Sequence, residues 1–377
     1  MPYTDKVLTV NESMTIGRTD RSVVKQNVID NLKAAIPDLP ESYGAGDKGR
    51  ITAGAAKAIL AKVYLFDGEF AEVKELTEEI MKSGTYSLFP SYSGLFDIAN
   101  EGNSEVILDV QYTPVLREWS MREAGFVPPS LGGYCSIAPT QELVDSYIML
   151  NGKGIKESGS GYDTSNPYSD RDPRLAATII YTGNSYKLPD GSDAVIDCNT
   201  GNDAYGTTSD VTPTGYYLKK WWDPTYRLTL LSGLNTIVIR YADVLLMNAE
   251  AHAELGTLNA DVWNNTVKEI RKRAGFTDAA ALDFNPSADN KAIIRNERRC
   301  ELAFEGARLK DIIRWRIAEK VLNVHGFYTG AAVGTDDGYV ILEKRTFNPD
   351  KNYYWPIPQK AIDLNKNLDQ NPNWSRK

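Results

Sequence analysis

Three glutamates, Glu297, Glu301 and Glu305, fall at i, i+4 and i+8 within Arg295–Trp315, a stretch that reads as one helix. Asp170 and Asp172 form a second carboxylate set. Paired carboxylates are the tools of general acid–base chemistry and of glycoside hydrolysis. Both sets, however, are interleaved with arginine: Arg298 and Arg308 beside the glutamates, Arg171 and Arg174 beside the aspartates. A neighbouring guanidinium holds a carboxyl ionised, which is wrong for a general acid at neutral pH. Like charges one helical turn apart also cost about 0.2–0.5 kcal/mol per pair, so the stripe requires cations. Leu302, Phe304, Leu309, Ile312 and Ile313 put apolar surface on much of the remaining circumference, and a helix apolar on most sides is buried. The pattern predicts a structural ion cluster of Glu297, Arg298, Glu301 and Arg308, joined by Arg240 and Asp243 from a facing helix.

Other catalytic or metal chemistry finds little support. The two histidines, His252 and His325, lack metal-site spacing, and His252 reads as a helix-surface residue. Cys135, Cys198 and Cys300 lie far apart, with neither a zinc pattern nor a disulfide framework. There is no Gly-x-Ser-x-Gly, phosphate loop or dinucleotide fingerprint. Asp193, Asp197, Asp203 and Asp210 could offer calcium oxygen ligands, but no twelve-residue calcium loop is present. No cofactor is expected.

Aromatic residues are the stronger signal. Residues 85–239 hold 13 of the 21 tyrosines and three of the seven tryptophans, in a region rich in Gly, Asp, Ser, Thr and Pro. Tyr and Trp supply rigid area with a polar handle, suited to stacking on sugar C–H groups. Trp221 and Trp222, with Tyr226 close behind, are the first choice for such a platform. Adjacent residues of an extended segment point to opposite faces, so one indole could face solvent; burial of both is the alternative. Tyr186 and Tyr205 in polar loops, and Trp119 between charged residues, are further candidates.

The scaffold that must position these groups is helical. Thr19 or Asp20 caps a helix with Val24, Val28, Leu32 and Ala35 on its apolar face; Thr52 caps a second with Ala55, Ala56, Ile59, Leu60, Val63 and Tyr64 inward. A third follows Gly68 and carries Phe70, Val73, Leu76 and Ile80. Helix pairs with small residues at their crossings are the plan of tetratricopeptide repeats, although no clean 34-residue self-similarity is present. A second block holds helices at Ala242–Ala253 and Val262–Ala274 before the glutamate helix, and short strands are predicted at Glu105–Val110 and Ala176–Tyr181. The divisions are 18–84 (first helical block), 85–239 (loop-rich, ligand-facing), 240–324 (second helical block) and 325–377 (extended). A formal net charge of −8 argues against nucleic acid as a partner. No apolar run approaches the ~18 residues that span a bilayer.

Glu297-Arg-Arg-x-Glu-Leu-Ala-Phe-Glu-Gly-x-Arg308 with its Asp-x-x-Arg-Trp tail resembles the signature helix of the SusD/RagB family. Five further landmarks fit in order: Gly49–Leu65, Pro139–Asp145, Asp170–Leu175, Arg240–Ala251, and Trp355 to Pro372. The resemblance implies a single, mainly α, tetratricopeptide-like fold over 1–377 with a large aromatic loop insertion. It implies a non-catalytic surface lipoprotein of the Bacteroidetes outer membrane. Such a protein captures oligosaccharide or polysaccharide for nutrient uptake and delivers it to a SusC-like TonB-dependent transporter, touching the membrane only through a lipid anchor. Relatives tend to carry a ligand-stacking aromatic shortly before the Arg240 landmark, which favours Trp221 and Trp222. The start, Met-Pro-Tyr-Thr-Asp-Lys, shows no export signal or lipobox cysteine. The chain therefore reads as N-terminally truncated, with Val24 or Val63 uncovered and self-association expected. A glycoside hydrolase and a repeat-type peptide-binding adaptor are the rival readings.

Overall fold

The computed structural model describes residues 2–331 and 335–375. Among its helices are α1 (Arg21–Ala35), α2 (Ala53–Asp67), α3 (Phe70–Ser83), α4 (Gln141–Ser146), α5 (Tyr241–Glu254), α6 (Val267–Ala274), α7 (Asn290–Glu301) and α8 (Ala307–Arg314). The chain is mainly helical, with short antiparallel pairs between the helical blocks. β1 (Val106–Val110) pairs with β4 (Thr236–Arg240), and β2 (Trp119–Ser120) with β3 (Leu231–Ser232). Near the C-terminus β5 (Val324–Tyr328), β6 (Thr335–Asp336) and β7 (Tyr339–Glu343) form a three-stranded sheet in the order β6-β7-β5.

Local chemistry explains the helix ends. Asp20 caps α1 by accepting from the Ser22 amide, and Thr52 caps α2 by accepting from Ala55. Gly68 and Gly84 close α2 and α3 in the left-handed conformation (φ 76° and 65°). α5 is the central helix, with every residue from Ala242 to Ala253 buried. It packs on α3 and α7, and Leu60, Val73, Ile80, Val244 and Met247 share one core. His252 is therefore not a surface residue. Its Nδ1 lies 2.8 Å from Thr257 Oγ1, and its Nε2 3.4 Å from Glu78.

Three expected elements differ. Ala176–Tyr181 is not a strand throughout: a short helix, Arg174–Thr178, runs into the two-residue strand Ile179–Ile180. Val262–Ala274 is split, Ala260–Asn264 being separated from α6 by Thr266 with its non-helical backbone. Arg295–Trp315 is likewise two helices. α7 ends at Glu301 and α8 begins at Ala307, with Phe304 (φ 59°) and Gly306 (φ 75°) left-handed between them. Side chains take the carbonyls of this turn. Arg240 Nη2 donates to Glu301 O (2.7 Å), Lys220 Nζ to Ala303 O (2.9 Å) and Trp221 Nε1 to Phe304 O (3.1 Å). Those groups stand in for the intrahelical donors that a continuous helix would have used.

The loop-rich region has a core of its own, formed by Tyr92, Phe96, Phe126, Tyr186, Tyr217, Trp221, Trp222 and Tyr226.

The crossing of Tyr86 over α2 is tight: a Cβ on Gly54 would lie 2.6 Å from the Tyr86 ring, whose hydroxyl is 2.9 Å from Thr52 Oγ1. Gly54→Ala is expected to cost about 1–3 kcal/mol through overpacking. It should lower the urea midpoint with an unchanged slope.

Candidate functional site

Arg240, fully buried at the end of β4, is the hub of the charged cluster. Its Nη1 lies 2.6 Å from both Glu105 and Glu301, and Nη2 and Nε lie 2.7 and 2.8 Å from Glu305. Glu301 also pairs with Arg174 (2.8 Å) and Arg273, and Arg273 reaches Glu105 (2.9 Å). Arg174 continues to Asp172 and Glu297 (2.7 Å each), and Arg271 meets Glu297 (2.8 Å). Lys220 meets Glu305 at 2.6 Å. The cluster thus joins Glu105, Asp172, Glu297, Glu301 and Glu305 to Arg174, Lys220, Arg240, Arg271 and Arg273, and it is charge-balanced. Burial alone would raise Glu301. Arg273, Arg240 and Arg174 together outweigh it and hold the carboxyl well below its ordinary range. Glu297 and Glu305 are lowered in the same way by their cations. Asp172 shifts the other way: burial outweighs Arg174 and raises it above its ordinary value.

Arg298 belongs to a second balanced group. It meets Asp243 (2.5 Å) and Asp311 (2.9 Å), while Lys62 reaches Asp243 (2.6 Å). Arg314 binds Asp311 (2.8 Å) and Glu250 (2.6 Å). Arg308 joins neither group. It lies half-buried beside Arg299, where burial and that guanidinium pull it down to about 10. The break between α7 and α8 removes it from the stripe. Lys220, Arg273 and Glu105 escaped sequence reading because each arrives from a distant segment with no spacing signal.

Four aromatic candidates lie in the core. Trp221 and Trp222 are each only 8% exposed, and Tyr186 and Tyr226 are fully buried. Both indole N–H groups are spent on carbonyls, Trp221 on Phe304 and Trp222 on Lys187 (2.6 Å). The expected alternation of faces fails because Trp221 is left-handed (φ 71°), so the segment turns where an extended strand was assumed. Trp222 is enclosed, and Trp221 reaches open space only as part of the wall of the cleft that Trp119 borders.

Two candidates remain at the surface, Trp119 (43% exposed) and Tyr205 (39%). Trp119 tilts against Tyr112 with centroids 5.6 Å apart, and Arg117 lies 5.6 Å from the Tyr112 ring. Trp119 stands at a cleft of about 920 Å³ lined also by Val28, Ile59, Val63, Phe66, Val238 and Trp221. By area the walls of this cleft are mostly apolar, but charged side chains, Lys25, Lys62, Arg122 and Lys310 among them, also line it. Tyr205 packs edge-on against Phe327 (5.3 Å) beside a smaller cleft of about 430 Å³ next to β7. Asp193, Asp197 and Asp203 are engaged separately, by Lys187, Thr200 and the Ser130 amide.

Residues 104–374 match the SusD family model. This chain belongs to the SusD family. Among curated relatives, SusD-like protein P25 of Formosa agariphila is 26% identical over 97% of this chain and 66% of its own length. A SusD-like protein of Bacteroides ovatus is 26% identical over 90% and 61%. The chain therefore spans about two thirds of the length of these relatives. A SusD-like carbohydrate binding protein from Bacteroides fragilis superposes with a TM-score of 0.84 at 27% identity, covering 98% of this chain and 75% of that one. A laminarin binding SusD-like protein superposes at 0.62 with 26% identity, covering 99% and 74%.

In this SusD-family chain the signature glutamates are cross-links between blocks. Glu301→Ala is expected to cost ~3–5 kcal/mol, because it leaves the buried Arg174, Arg240 and Arg273 one carboxylate short and unbalances the cluster, measured by urea denaturation. Glu297, Glu301, Glu305 and Asp243 have folded pKa values below their unfolded ones. Their contribution is therefore complete above the ordinary carboxylate range and is lost as pH falls through the folded values. Asp172, raised by burial, runs the other way and blunts the slope. The contribution of these four carboxylates should be constant from neutral pH to about 5, a range in which His325, raised by its hydrogen bonds to Glu142 and Asp336, adds stability on acidification. Stability should decline below about 4, and stability that still rises below that would contradict the assignment.

Proposed function

We propose that this chain captures oligosaccharide or polysaccharide at the outer face of a bacterial outer membrane without catalysing its breakdown. The further step, delivery to a SusC-like TonB-dependent transporter from a lipid-anchored position, follows the family pattern. The observation that carries the reading is family membership over most of the chain, together with close superposition on a protein described as carbohydrate binding. The surface aromatics support it, Trp119 above all, backed by Tyr112 and Arg117. Fates of the marked carboxylates weigh against a hydrolase: Glu297, Glu301 and Glu305 are all committed to buried cations. The reading needs no cofactor, calcium included.

Isothermal titration against a panel of soluble glycans tests this, with laminarin first because a structural neighbour is described as binding it. Binding without release of shorter products is expected. Trp119→Ala should weaken affinity roughly 2–10-fold with unchanged stability, the usual range for a lost aromatic contact. Turnover of the bound glycan would favour the hydrolase. Peptide affinity with no glycan affinity would favour the adaptor.

A further inference from the structure

The β5–β7 sheet carries an aromatic pair that sequence reading did not single out. Tyr328 is 59% exposed, and its ring lies 5.1 Å from that of half-buried Tyr339, the planes meeting at 60°. The two residues are cross-strand partners on antiparallel β5 and β7. An exposed tyrosine is ordinarily free to turn about χ1, but this one is held. Gly338, left-handed at φ 85°, crowds the Cε2 edge of the ring, so that a Cβ there would run into Cε2, and a Cβ on Gly330 would lie 3.7 Å from Cε1 on the other side. The amides of Thr329 and Gly330 both donate to Gly338 O (2.8 and 3.2 Å), fixing the strand end that carries the ring. The edges of the Tyr328 ring are thus confined by glycine backbone while the side chain stays 59% exposed.

Polar groups flank the pair. His325 stands 6.3 Å from Tyr339 and bridges two carboxylates, Nδ1 at 2.6 Å from Glu142 of α4 and Nε2 at 3.1 Å from Asp336 of β6. The Asp336 side chain is 68% exposed and can accept from a ligand hydroxyl. Between Val324 and Glu343 there is no Lys or Arg, whereas Asp336, Asp337 and Glu343 are acidic. Anionic sugars would meet like charge from Asp336 and Asp337 here, since His325 is engaged by Glu142 and Asp336 and the next cations, Lys344 and Arg345, lie past the end of β7.

We infer that Tyr328 and Tyr339, confined at the ring edge by Gly338 and flanked by Asp336, form a second carbohydrate contact, separate from Trp119, for neutral pyranose chains. The π-face of each ring, negative at its centre, takes the C–H face of a sugar, and the exposed carboxylate takes a hydroxyl. Rings meeting at 60° follow a chain that curves, unlike the coplanar rings that suit a flat crystalline surface. The inference rests on the glycan-capture reading.

The test is titration of the intact chain with laminarin, a neutral β-glucan, and with alginate, a polyuronate. Variants are Tyr328→Ala, Tyr328→Phe, Tyr339→Ala and Gly338→Ala, with folding checked by circular dichroism. Laminarin binding is expected to weaken roughly tenfold in Tyr328→Ala and to persist in Tyr328→Phe, which keeps the stacking face. Gly338→Ala should weaken it too, by displacing the ring without removing it. If the wild type binds laminarin and both Tyr328→Ala and Gly338→Ala bind equally well, the platform is wrong while glycan capture stands. If alginate is preferred and its binding depends on Tyr328, the assignment to neutral sugars is overturned. A wild type that binds neither polysaccharide, nor any glycan of the wider panel, overturns the capture reading and this inference with it.

Discussion

The contact on which the rest of the molecule depends is Arg240 with Glu301. It joins the end of β4 to the end of α7, and through Glu105, Lys220 and Arg174 it reaches the start of β1 and two segments of the loop region. Isolated buried charges would cost several kcal/mol each. Here every carboxylate meets at least one guanidinium or ammonium, and several meet two or three. The same guanidinium donates to the Glu301 carbonyl, so the ion pair and the end of the helix are one feature. Breaking the helix there turns Phe304 toward Trp221 and fixes the position of the loop core.

This arrangement explains why the most conspicuous aromatics are structural. A region with few regular elements cannot make its core by stacking helices, and large rings fill the space with few residues. Trp221, Trp222, Tyr186 and Tyr226 do that here. Three of their polar groups donate to nearby carbonyls: Trp221 Nε1 to Phe304 O, Trp222 Nε1 to Lys187 O and Tyr186 Oη to Leu218 O (2.7 Å). Surface aromatics are then left at the margins: Trp119 on a short strand, Tyr205 near the edge of the C-terminal sheet, and Tyr328 on the sheet itself. The chemistry open to a sugar lies on segments that the core holds in place.

Acidic residues divide along the same line. Carboxylates that look catalytic by spacing are neutralised inside, held ionised by arginines. Those left exposed near the aromatic pair, Asp336 and Asp337, are free of neighbouring Lys or Arg in their own strands. A buried, paired carboxylate stabilises and cross-links; an exposed one can exchange water for a ligand hydroxyl.

Sequence periodicity and capping residues alone determined the helices α1, α2, α3 and α5, because caps and apolar spacing act within a few residues. The carboxylate stripe likewise announced a buried ion cluster, since such a helix is unstable without cations. What tertiary structure decided was which cations arrive. Arg308, the neighbour in sequence, is carried away by the break after Glu301, and Lys220 and Arg273 come from segments far along the chain. Which aromatics face solvent was also undecided locally, because one left-handed residue, Trp221, reverses the alternation on which the expectation rested. Tyr328 carries no composition signal; its exposure and confined orientation exist only once β7 brings Gly338 against the edge of its ring. Short-range spacing fixes what a residue can offer, and the long-range fold fixes whether anything can reach it.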